Sequence, residues 1–290
     1  MMAEQDTSPG RNHPVVTVAP ALSGLADHGD HDAYIEDYFF ATVVSAYRLT
    51  PATIRVVLRV AGHERYVPSG HPDEWVRLAF PPAPGEAVTL PEYREGRWGR
   101  FDGSKPCPSR PYTVRRWNGA TGEMMVDMVV HEGGVAASWA IGAKAGDIIG
   151  ICNPEGRFWL PKGSRWLLML VDITGLPAAA RILEELPQGF RALVHVEVPS
   201  QQDIQLLASG ADASVIWHVS HGPRPGRSST TELPRIAAAI DALPEGPGYV
   251  CIAGEAKAAS AARRHFRDTL GQPRTHIDAV GYWIEGQART

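Results

Sequence analysis

The sequence predicts a β domain of short antiparallel strands, arranged as a barrel or a sandwich, followed by an α/β domain with a parallel sheet. Two patterns lead to this division. From Tyr34 to about Leu160, short apolar runs are separated by Pro and Gly, which is typical of antiparallel strands joined by turns. After Pro161, strand-like runs alternate with helical ones, which is typical of parallel strands joined by helices.

Six apolar runs in the first half are candidate strands. The turn signal Asn118-Gly119 separates the fourth run from the fifth and predicts a hairpin between them. The segment Pro81–Pro108 is rich in Pro, Gly and Arg, and we expect a long loop there. The six runs are Phe39–Val44, Ile54–Val60, Trp75–Phe80, Tyr112–Trp117, Met124–His131 and Ile148–Cys152.

One helix is predicted within this β region, over Val135–Ala143. Gly133 and Gly134 precede it, so the backbone N–H groups of its first turn are free to bind an anion. His131 and Ser138 flank that end of the helix. A connector helix that closes a barrel would show the same pattern, and the residues alone leave both interpretations open.

The second half alternates between strand-like and helical runs, and three of its strand ends carry polar residues or glycine. These ends are Asp172–Gly175, Glu197–Ser200 and Ala253–Glu255. Ligands of parallel sheets bind beyond the carboxyl ends of the strands, so the pattern predicts a nucleotide site, although no G-x-G-x-x-G fingerprint is present. Helix capping by the acidic residues is the alternative. Predicted strands are Trp166–Val171, Ala192–Val198, Ser214–Val219, Tyr249–Ala253 and Ile277–Trp283; predicted helices are Leu176–Leu186, Gln202–Ala208, Leu233–Leu243 and Glu255–Leu270.

Composition bounds the function. A length of 290 residues favours two domains, which we place at residues 34–162 and 163–290, behind a flexible tail over residues 1–33. A net charge of −4 argues against a protein that binds nucleic acid by neutralising phosphates. The longest apolar run is too short to cross a membrane, and no secretory signal precedes it. Three scattered cysteines favour a cytoplasmic protein without a metal site.

The segment Ser109–Arg115 combines an arginine, a tyrosine and a threonine on a strand-like pattern. On a strand, Arg110 and Tyr112 point to one face and Thr113 points to the other. Arg110 could hold a phosphate, Tyr112 could lie on an aromatic ring, and Thr113 could bond to a ring nitrogen or oxygen. A flavin would use all three contacts, whereas an ordinary polar strand would show the same residues without binding one.

The chain from Tyr34 to Gly286 resembles the siderophore-interacting proteins, which are ferric-siderophore reductases of the ferredoxin-reductase-like superfamily. The resemblance implies a Greek-key β-barrel that binds FAD and a parallel α/β domain that binds NADH or NADPH. It also implies hydride transfer to FAD and single-electron transfer to Fe(III), with no iron ligand from the protein. The segments that carry it are Asp73–Leu78, Arg110–Thr113, His131–Ala140, Val171–Pro187, Ala253–Glu255 and Gly281–Trp283.

The same resemblance implies roles for individual residues. FAD would be bound by Arg110, Tyr112, Thr113, His131, Ala137, Ser138 and Trp139. The nicotinamide nucleotide would lie along Asp172, Thr174, Glu197, Arg224, Gly254 and Glu255. The ferric siderophore would dock near Arg77, Tyr282 and Trp283. Arg224 and Arg227 favour NADPH over NADH, because a 2′-phosphate needs a nearby cation.

Where the family usually has a basic residue after Gly281-Tyr282-Trp283, this chain has Ile284 and Glu285. That departure leaves room for a flavin reductase with a quinone or a protein as electron acceptor. A third alternative is a siderophore-binding protein that has lost its flavin, against which Arg110, Tyr112 and Thr113 argue. We expect the protein to be a monomer.

Overall fold

The first half of the chain closes into a six-stranded antiparallel barrel. The computed structural model of the protein describes residues 38–83, 85–90, 92–94, 97–99, 103, 107–131, 134–220 and 231–287. The predicted tail over residues 1–33 lies outside these ranges, as do Arg224 and Arg227. The strands are β1 (Tyr38–Thr50), β2 (Thr53–Val60), β3 (Trp75–Ala79), β4 (Glu92–Arg94), β5 (Arg97–Gly99), β6 (Ser109–Asn118), β7 (Glu123–Val129) and β8 (Ile148–Glu155).

The barrel forms because alternate residues of its strands are apolar and point inward. Around the barrel the strands follow the order β1-β2-β7-β6-β3-β8, and β8 pairs again with β1. Leu58, Val76, Leu78 and Val126 are fully buried inside it. Helix α1 (Val135–Gly142) covers part of this core, where the Trp139 ring packs on Phe80 with ring centroids 5.3 Å apart. All six predicted strands are therefore confirmed.

The second half is a five-stranded parallel sheet with helices on both faces. Its order is β11-β10-β9-β12-β13. Helix α2 packs on one face, and helices α3 and α4 pack on the other. The elements are β9 (Trp166–Asp172), α2 (Leu176–Glu185), β10 (Arg191–Val198), β11 (Asp212–Val219), α3 (Leu233–Ala238), β12 (Gly248–Glu255), α4 (Ala256–Arg264) and β13 (Ile277–Trp283). The predicted fold, an antiparallel barrel followed by a parallel α/β sheet, is confirmed.

Several predicted elements have different bounds. The helix predicted over Gln202–Ala208 is wrong, because only a 3-10 turn, Gln201–Asp203, forms there. Its Asp203 side chain instead accepts hydrogen bonds from Ala52 N and Ser200 Oγ. A short hairpin of β4 and β5 interrupts the predicted long loop, α3 ends at Ala238, and a π-helical turn over His265–Thr269 follows α4.

Helix α2 joins the two halves. Arg181 on this helix donates a hydrogen bond to the backbone oxygen of Val114 in β6, at 2.9 Å. The guanidinium of Arg115 in β6 forms two hydrogen bonds with the carboxylate of Glu184. Arg181 also lies 3.9 Å from the fully buried carboxylate of Glu74. These contacts fix the strand that carries the predicted flavin residues against the α/β half.

Candidate functional site

The predicted flavin strand has the two faces that the sequence indicated. Tyr112 lies opposite Val76, whose side chain is in the barrel core, and Tyr112 packs against that core. Burial raises the pKa of Tyr112 to about 12. Thr113 lies opposite Trp75 on the other face and is itself buried. Tyr282 of β13 lies near Thr113, and this neighbour opposes the rise that burial causes in the pKa of the Tyr282 phenol.

Arg110 is the cation on this strand that could hold a phosphate. Its guanidinium donates a hydrogen bond to the backbone oxygen of Ser109, at 2.7 Å. Among the residues that the structure describes, no carboxylate forms an ion pair with Arg110. A guanidinium with unused donors next to a half-buried tyrosine suits a phosphate ester joined to a flat ring. The residues present therefore fit the flavin that the motif predicts.

The glycine before α1 supplies a second place for an anion. Gly134 is the N-cap of α1 and provides no side-chain capping bond, so the N–H groups of the first turn point toward the open end. The His131 ring lies over Gly134, where a Cβ would come within 2.3 Å of His131 Cε1. Ala137 is buried and Ser138 is exposed. A contact from Ala137 would consequently come from its backbone, whereas Ser138 offers its hydroxyl.

Arg77, the predicted siderophore contact, lies on the outer face of the barrel. It pairs with Pro111 in β6, and Trp75 pairs with Thr113, so Arg77 and Thr113 are diagonal neighbours on the same face. Such side chains begin roughly 7 Å apart. Cys152 pairs with Arg77 from the other side, and burial raises the pKa of its thiol to about 11. Arg77 is thus a permanent positive charge close to the strand that carries the flavin residues.

Asp172 ends β9 and organises the carboxyl edge of the parallel sheet. Its Oδ1 accepts hydrogen bonds from the backbone and hydroxyl of Thr174, at 2.8 and 2.5 Å, and a longer one from Gly175 N at 3.4 Å. Its Oδ2 accepts from Glu255 N at 3.1 Å and from Trp283 Nε1 at 2.8 Å. Burial raises the pKa of Asp172, and these donors oppose that rise. The carboxylate is engaged with the protein itself, so it shapes the edge on which a nucleotide could lie.

The turn after β12 fits closely against Asp172. A Cβ at Gly254 would come within 2.5 Å of Asp172 Oδ2 and within 2.6 Å of Leu233 Cδ1, so only glycine fits there. The next residue, Glu255, is buried and caps α4 by accepting a hydrogen bond from Ala258 N at 2.7 Å. The capping that the sequence left as an alternative for Glu255 is therefore observed.

Glu197 ends β10 and also bonds within the protein. Its carboxylate accepts hydrogen bonds from Thr231 Oγ1 at 2.6 Å and from Glu232 N at 2.8 Å, and so holds the start of α3 against the sheet. Burial raises the pKa of Glu197 to about 7. His218 lies opposite Glu197 on the neighbouring strand β11. Its Nε2 lies 3.0 Å from Nδ1 of His195, within hydrogen-bonding distance.

The structure thus brings the predicted residues together in two groups. The flavin group contains Thr113, near which Tyr282 of β13 lies. The nucleotide group contains Asp172, to which Trp283 of β13 is hydrogen-bonded. The sequence did not predict the hydrogen bonds that the Asp73 carboxylate accepts from Arg157 N and Phe158 N. It also did not predict the ion pair between Arg157 and Asp278, at 2.7 Å.

Within the described ranges, no three His, Cys, Asp or Glu side chains are arranged as a metal site. The same ranges contain no helix that is long and apolar enough to span a membrane.

Comparison with known proteins decides the family. The description "Siderophore-interacting FAD-binding domain" matches residues 42–158, and "Siderophore-interacting protein" matches residues 164–286. The ferric vibriobactin reductase ViuB of Vibrio cholerae is 30% identical over 217 residues, which make up 73% of this chain and 77% of that protein. The chain belongs to the siderophore-interacting protein family. It carries the FAD-binding domain of that family and is a flavin-dependent oxidoreductase, as the sequence predicted.

Another related protein and a crystal structure agree with this family assignment. The NADPH-dependent ferric-chelate reductase of Escherichia coli is 28% identical over 249 residues, covering 83% of this chain and 91% of that protein. A crystal structure described as a siderophore utilization protein from T. fusca superposes with a TM-score of 0.76 at 30% identity, covering 87% of this chain and 94% of that one. Family membership and the fold therefore rest on matches across both halves of the chain.

Proposed function

We propose that this siderophore-interacting protein is an NAD(P)H-dependent ferric-siderophore reductase that releases Fe(II). Residues 34–162 would bind FAD, and residues 163–290 would bind the nicotinamide nucleotide. The observation that carries the proposal is the set of contacts between the flavin strand β6 and helix α2, in which Arg181 donates to the Val114 oxygen and Arg115 bonds to Glu184. Because α2 begins at the carboxyl edge of the parallel sheet, these contacts support a flavin site next to the edge where a nucleotide would lie, so hydride donor and flavin would meet at one place.

The residues have separate parts in this proposal. Bound FAD would take two electrons as a hydride from the nicotinamide and pass them one at a time to Fe(III). Arg110 and the first turn of α1 would hold the phosphates, while Tyr112 would lie against the flavin ring. Thr113 would bond to the ring edge. His131, Ser138 and Trp139 would border the remainder of the cofactor.

Arg77 gives the site a preference for an anionic acceptor. Ferric complexes of catecholate or carboxylate siderophores carry net negative charge, because their anionic oxygens outnumber the three charges of Fe(III), and Arg77 lies on the same face as Thr113. A cation beside the ring edge would attract such a complex and hold it within electron-transfer distance. Iron would remain a substrate bound by its chelator throughout, and Fe(II) would leave because hard oxygen donors hold it more weakly than Fe(III).

Asp172, Gly254 and Glu255 would support the nucleotide through shape. The Asp172 carboxylate accepts hydrogen bonds from Glu255 N and from the Trp283 indole, so the backbone at this edge would be what faces the nucleotide. Thr174 would lie at the start of α2, where a pyrophosphate is favoured by the free N–H groups. The preference for NADPH rests on Arg224 and Arg227 and stays a prediction, as do the cytoplasmic location and the monomeric state.

A second candidate is a flavin reductase with a quinone or protein acceptor. Ile284 and Glu285 favour it, because they place an apolar and an acidic residue just after Trp283, and Glu285 N is bound to the Glu255 carboxylate at 3.4 Å. The two functions separate in one experiment. We expect the FAD-loaded protein to turn over a ferric siderophore at least tenfold faster than a soluble quinone, with NADPH at saturation. The opposite order would support the second candidate.

A further inference from the structure

Strand β6 contains a β-bulge just after the predicted flavin residue Thr113. Val114 and Arg116 lie opposite successive residues of β7, so Arg115 is an extra residue between them. A bulge bends its strand and interrupts the regular ladder of hydrogen bonds. Here the main-chain oxygen of Val114 and the side chain of Arg115 both bond to side chains of helix α2.

Arg181 is the residue of α2 that binds the main chain at this bulge. Its Nη1 donates a hydrogen bond to the Val114 oxygen at 2.9 Å. On the other side of the same residue, Val114 N donates to the main-chain oxygen of Glu74 at 2.8 Å. Both polar main-chain groups of this fully buried valine are therefore bound from outside the hairpin of β6 and β7.

Two carboxylates hold the guanidinium of Arg181 in place. Glu74 is fully buried, and its carboxylate accepts hydrogen bonds from the Tyr66 hydroxyl at 3.0 Å and from Ser69 N. Neither donor carries a charge, and a buried carboxylate is costly unless a cation lies close to it. Arg181 supplies the cation, with Nη1 3.9 Å from Glu74 Oε1. Glu185, one turn further along α2, accepts from Arg181 Nε at 3.0 Å.

These contacts lie between the two sites that hydride transfer must bring together. Val114 directly follows Thr113, which would bond to the flavin ring. Arg181 lies five residues, or roughly 7.5 Å, along α2 from Leu176, where the helix begins. A nucleotide pyrophosphate would lie at that end of the helix. The hydrogen bond from Arg181 to Val114 consequently couples the flavin strand to the helix that would hold the nucleotide.

We propose that Arg181 is a positioning residue for hydride transfer, which sets the distance between nicotinamide and flavin by binding the Val114 oxygen. This inference rests on the proposed function, in which the two groups meet at this edge. Hydride transfer is sensitive to such placement, since a shift of roughly 1 Å can cost about a hundredfold in rate. The alternative role is purely structural, in which Arg181 would only balance the buried charge of Glu74.

A charge-balanced variant separates these two roles. Arg181→Met removes the guanidinium and leaves the Glu74 carboxylate buried without its cation. The double variant Glu74→Gln/Arg181→Met lacks that charge as well, whereas Glu74→Gln alone keeps the bond to Val114. Arg191→Met is the control, because Arg191 is an exposed arginine at the start of β10, at the opposite edge of the sheet from the predicted nucleotide site.

Each protein is compared in four properties. These are the melting temperature, the Kd for FAD, the rate of flavin reduction at a saturating concentration of the preferred nucleotide, and the long-wavelength absorbance that a nicotinamide stacked on a flavin produces. The absorbance is measured with NADP⁺ or NAD⁺ added to the reduced protein, so it reports stacking without turnover.

We expect Arg181→Met to melt at a lower temperature and to reduce its flavin about tenfold more slowly than the wild type. The double variant should regain the melting temperature, because no buried charge is left unbalanced, but should keep the slow reduction and a weaker long-wavelength absorbance. Glu74→Gln alone should reduce at the wild-type rate, since Glu185 still holds the guanidinium. Arg191→Met should match the wild type throughout, and the Kd for FAD should stay within about twofold in every variant.

Two results would overturn the inference. One is a double variant that recovers the wild-type rate and absorbance, which would show that Arg181 only balances charge. The other is a Glu74→Gln variant as slow as the double variant, which would assign the effect to the carboxylate. Should Arg181→Met not fold, these two comparisons still decide the matter. Failure of the proposed function looks different, because the wild-type protein would then bind no FAD, or neither NADPH nor NADH would reduce it.

Discussion

The indole nitrogen of Trp283 donates a hydrogen bond to Asp172 Oδ2 across 2.8 Å, which ties the last strand of the sheet to its central one. The same carboxylate oxygen accepts from Glu255 N. The ends of three strands, β9, β12 and β13, are therefore held by one side chain. The contact makes Asp172 the residue on which the geometry of the nucleotide edge depends most.

Replacing Asp172 with asparagine should destabilise the fold strongly. The amide group would face N–H donors in place of one carboxylate oxygen, and would leave at least two buried donors without a partner. We expect a loss of about 3 kcal/mol, measured by urea unfolding. Asp268→Asn is the control, because Asp268 is exposed and pairs with the neighbouring Arg267, and its urea midpoint should equal that of the wild type. Equal midpoints for the two variants would contradict this account.

Stability should fall with rising pH because of Glu197. Burial raises the pKa of Glu197 from 4.5 to about 7, so between these values the folded protein keeps a proton that the unfolded chain releases. The resulting stabilisation is complete below pH 4.5 and is lost as pH rises through 7. Glu197→Gln has no such proton to lose. From pH 5 to pH 8 it should therefore gain stability over the wild type, on the order of 3 kcal/mol.

Urea unfolding at a series of pH values measures that difference. The control is Glu245→Gln, which changes an exposed glutamate in a loop. Its stability relative to the wild type should stay constant from pH 5 to pH 8. A constant difference for Glu197→Gln as well would show that Glu197 does not hold its proton near neutral pH.

The sequence could predict those parts of the fold that depend on residues close together in the chain, but not the contacts between distant residues. Short apolar runs separated by Pro and Gly located all six barrel strands, because both the apolar run and the turn that ends it are local signals. The hydrogen bond between Asp203 and Ala52 joins residues 151 positions apart, and so the false helix over Gln202–Ala208 could not be recognised from a local window. The rule that ligands bind beyond the carboxyl ends of parallel strands predicted that Asp172 and Glu255 lie at one edge of the sheet. It did not predict that the Asp172 carboxylate accepts a hydrogen bond from Glu255 N.

Site residues show the same limit. The motif placed Arg110, Tyr112 and Thr113 on the correct faces of β6, since strand geometry alone fixes those faces. The hydrogen bond from Arg181 to the Val114 oxygen depends on how the two halves of the chain pack together, which no short pattern encodes. The Arg157–Asp278 ion pair has the same origin. Arg224 and Arg227, on which the preference for NADPH rests, remain predictions.

Replacing Arg110 with alanine should weaken FAD binding. The change would remove a charge-assisted contact to phosphate worth on the order of 2 kcal/mol, which raises the Kd for FAD about 30-fold. Titration of the apoprotein with FAD measures the effect. Arg116→Ala is the matched control, since Arg116 is an exposed arginine on the same strand, and its Kd should equal that of the wild type. Unchanged flavin occupancy in Arg110→Ala would mean that the phosphate lies elsewhere.

Replacing Arg77 with glutamine should affect the acceptor and not the cofactor. We expect the KM for an anionic ferric siderophore to rise about tenfold, because the positive charge beside the ring edge is removed. The KM for an uncharged ferric chelate should stay the same, and so should the rate at which NADPH reduces the flavin. Steady-state kinetics with both chelates checks this. An equal rise for both would show that Arg77 does not recognise charge.

The most direct measurement mixes the FAD-loaded protein with NADPH and an excess of ferric siderophore without oxygen, in the presence of a chelator specific for Fe(II). The account predicts that the flavin colour bleaches and returns, and that two Fe(II) ions appear for each NADPH oxidised, since a hydride carries two electrons and each Fe(III) takes one. The same run with NADH gives the nucleotide preference. A flavin that neither nucleotide reduces, or one that is reduced without any Fe(II) release, would contradict the account.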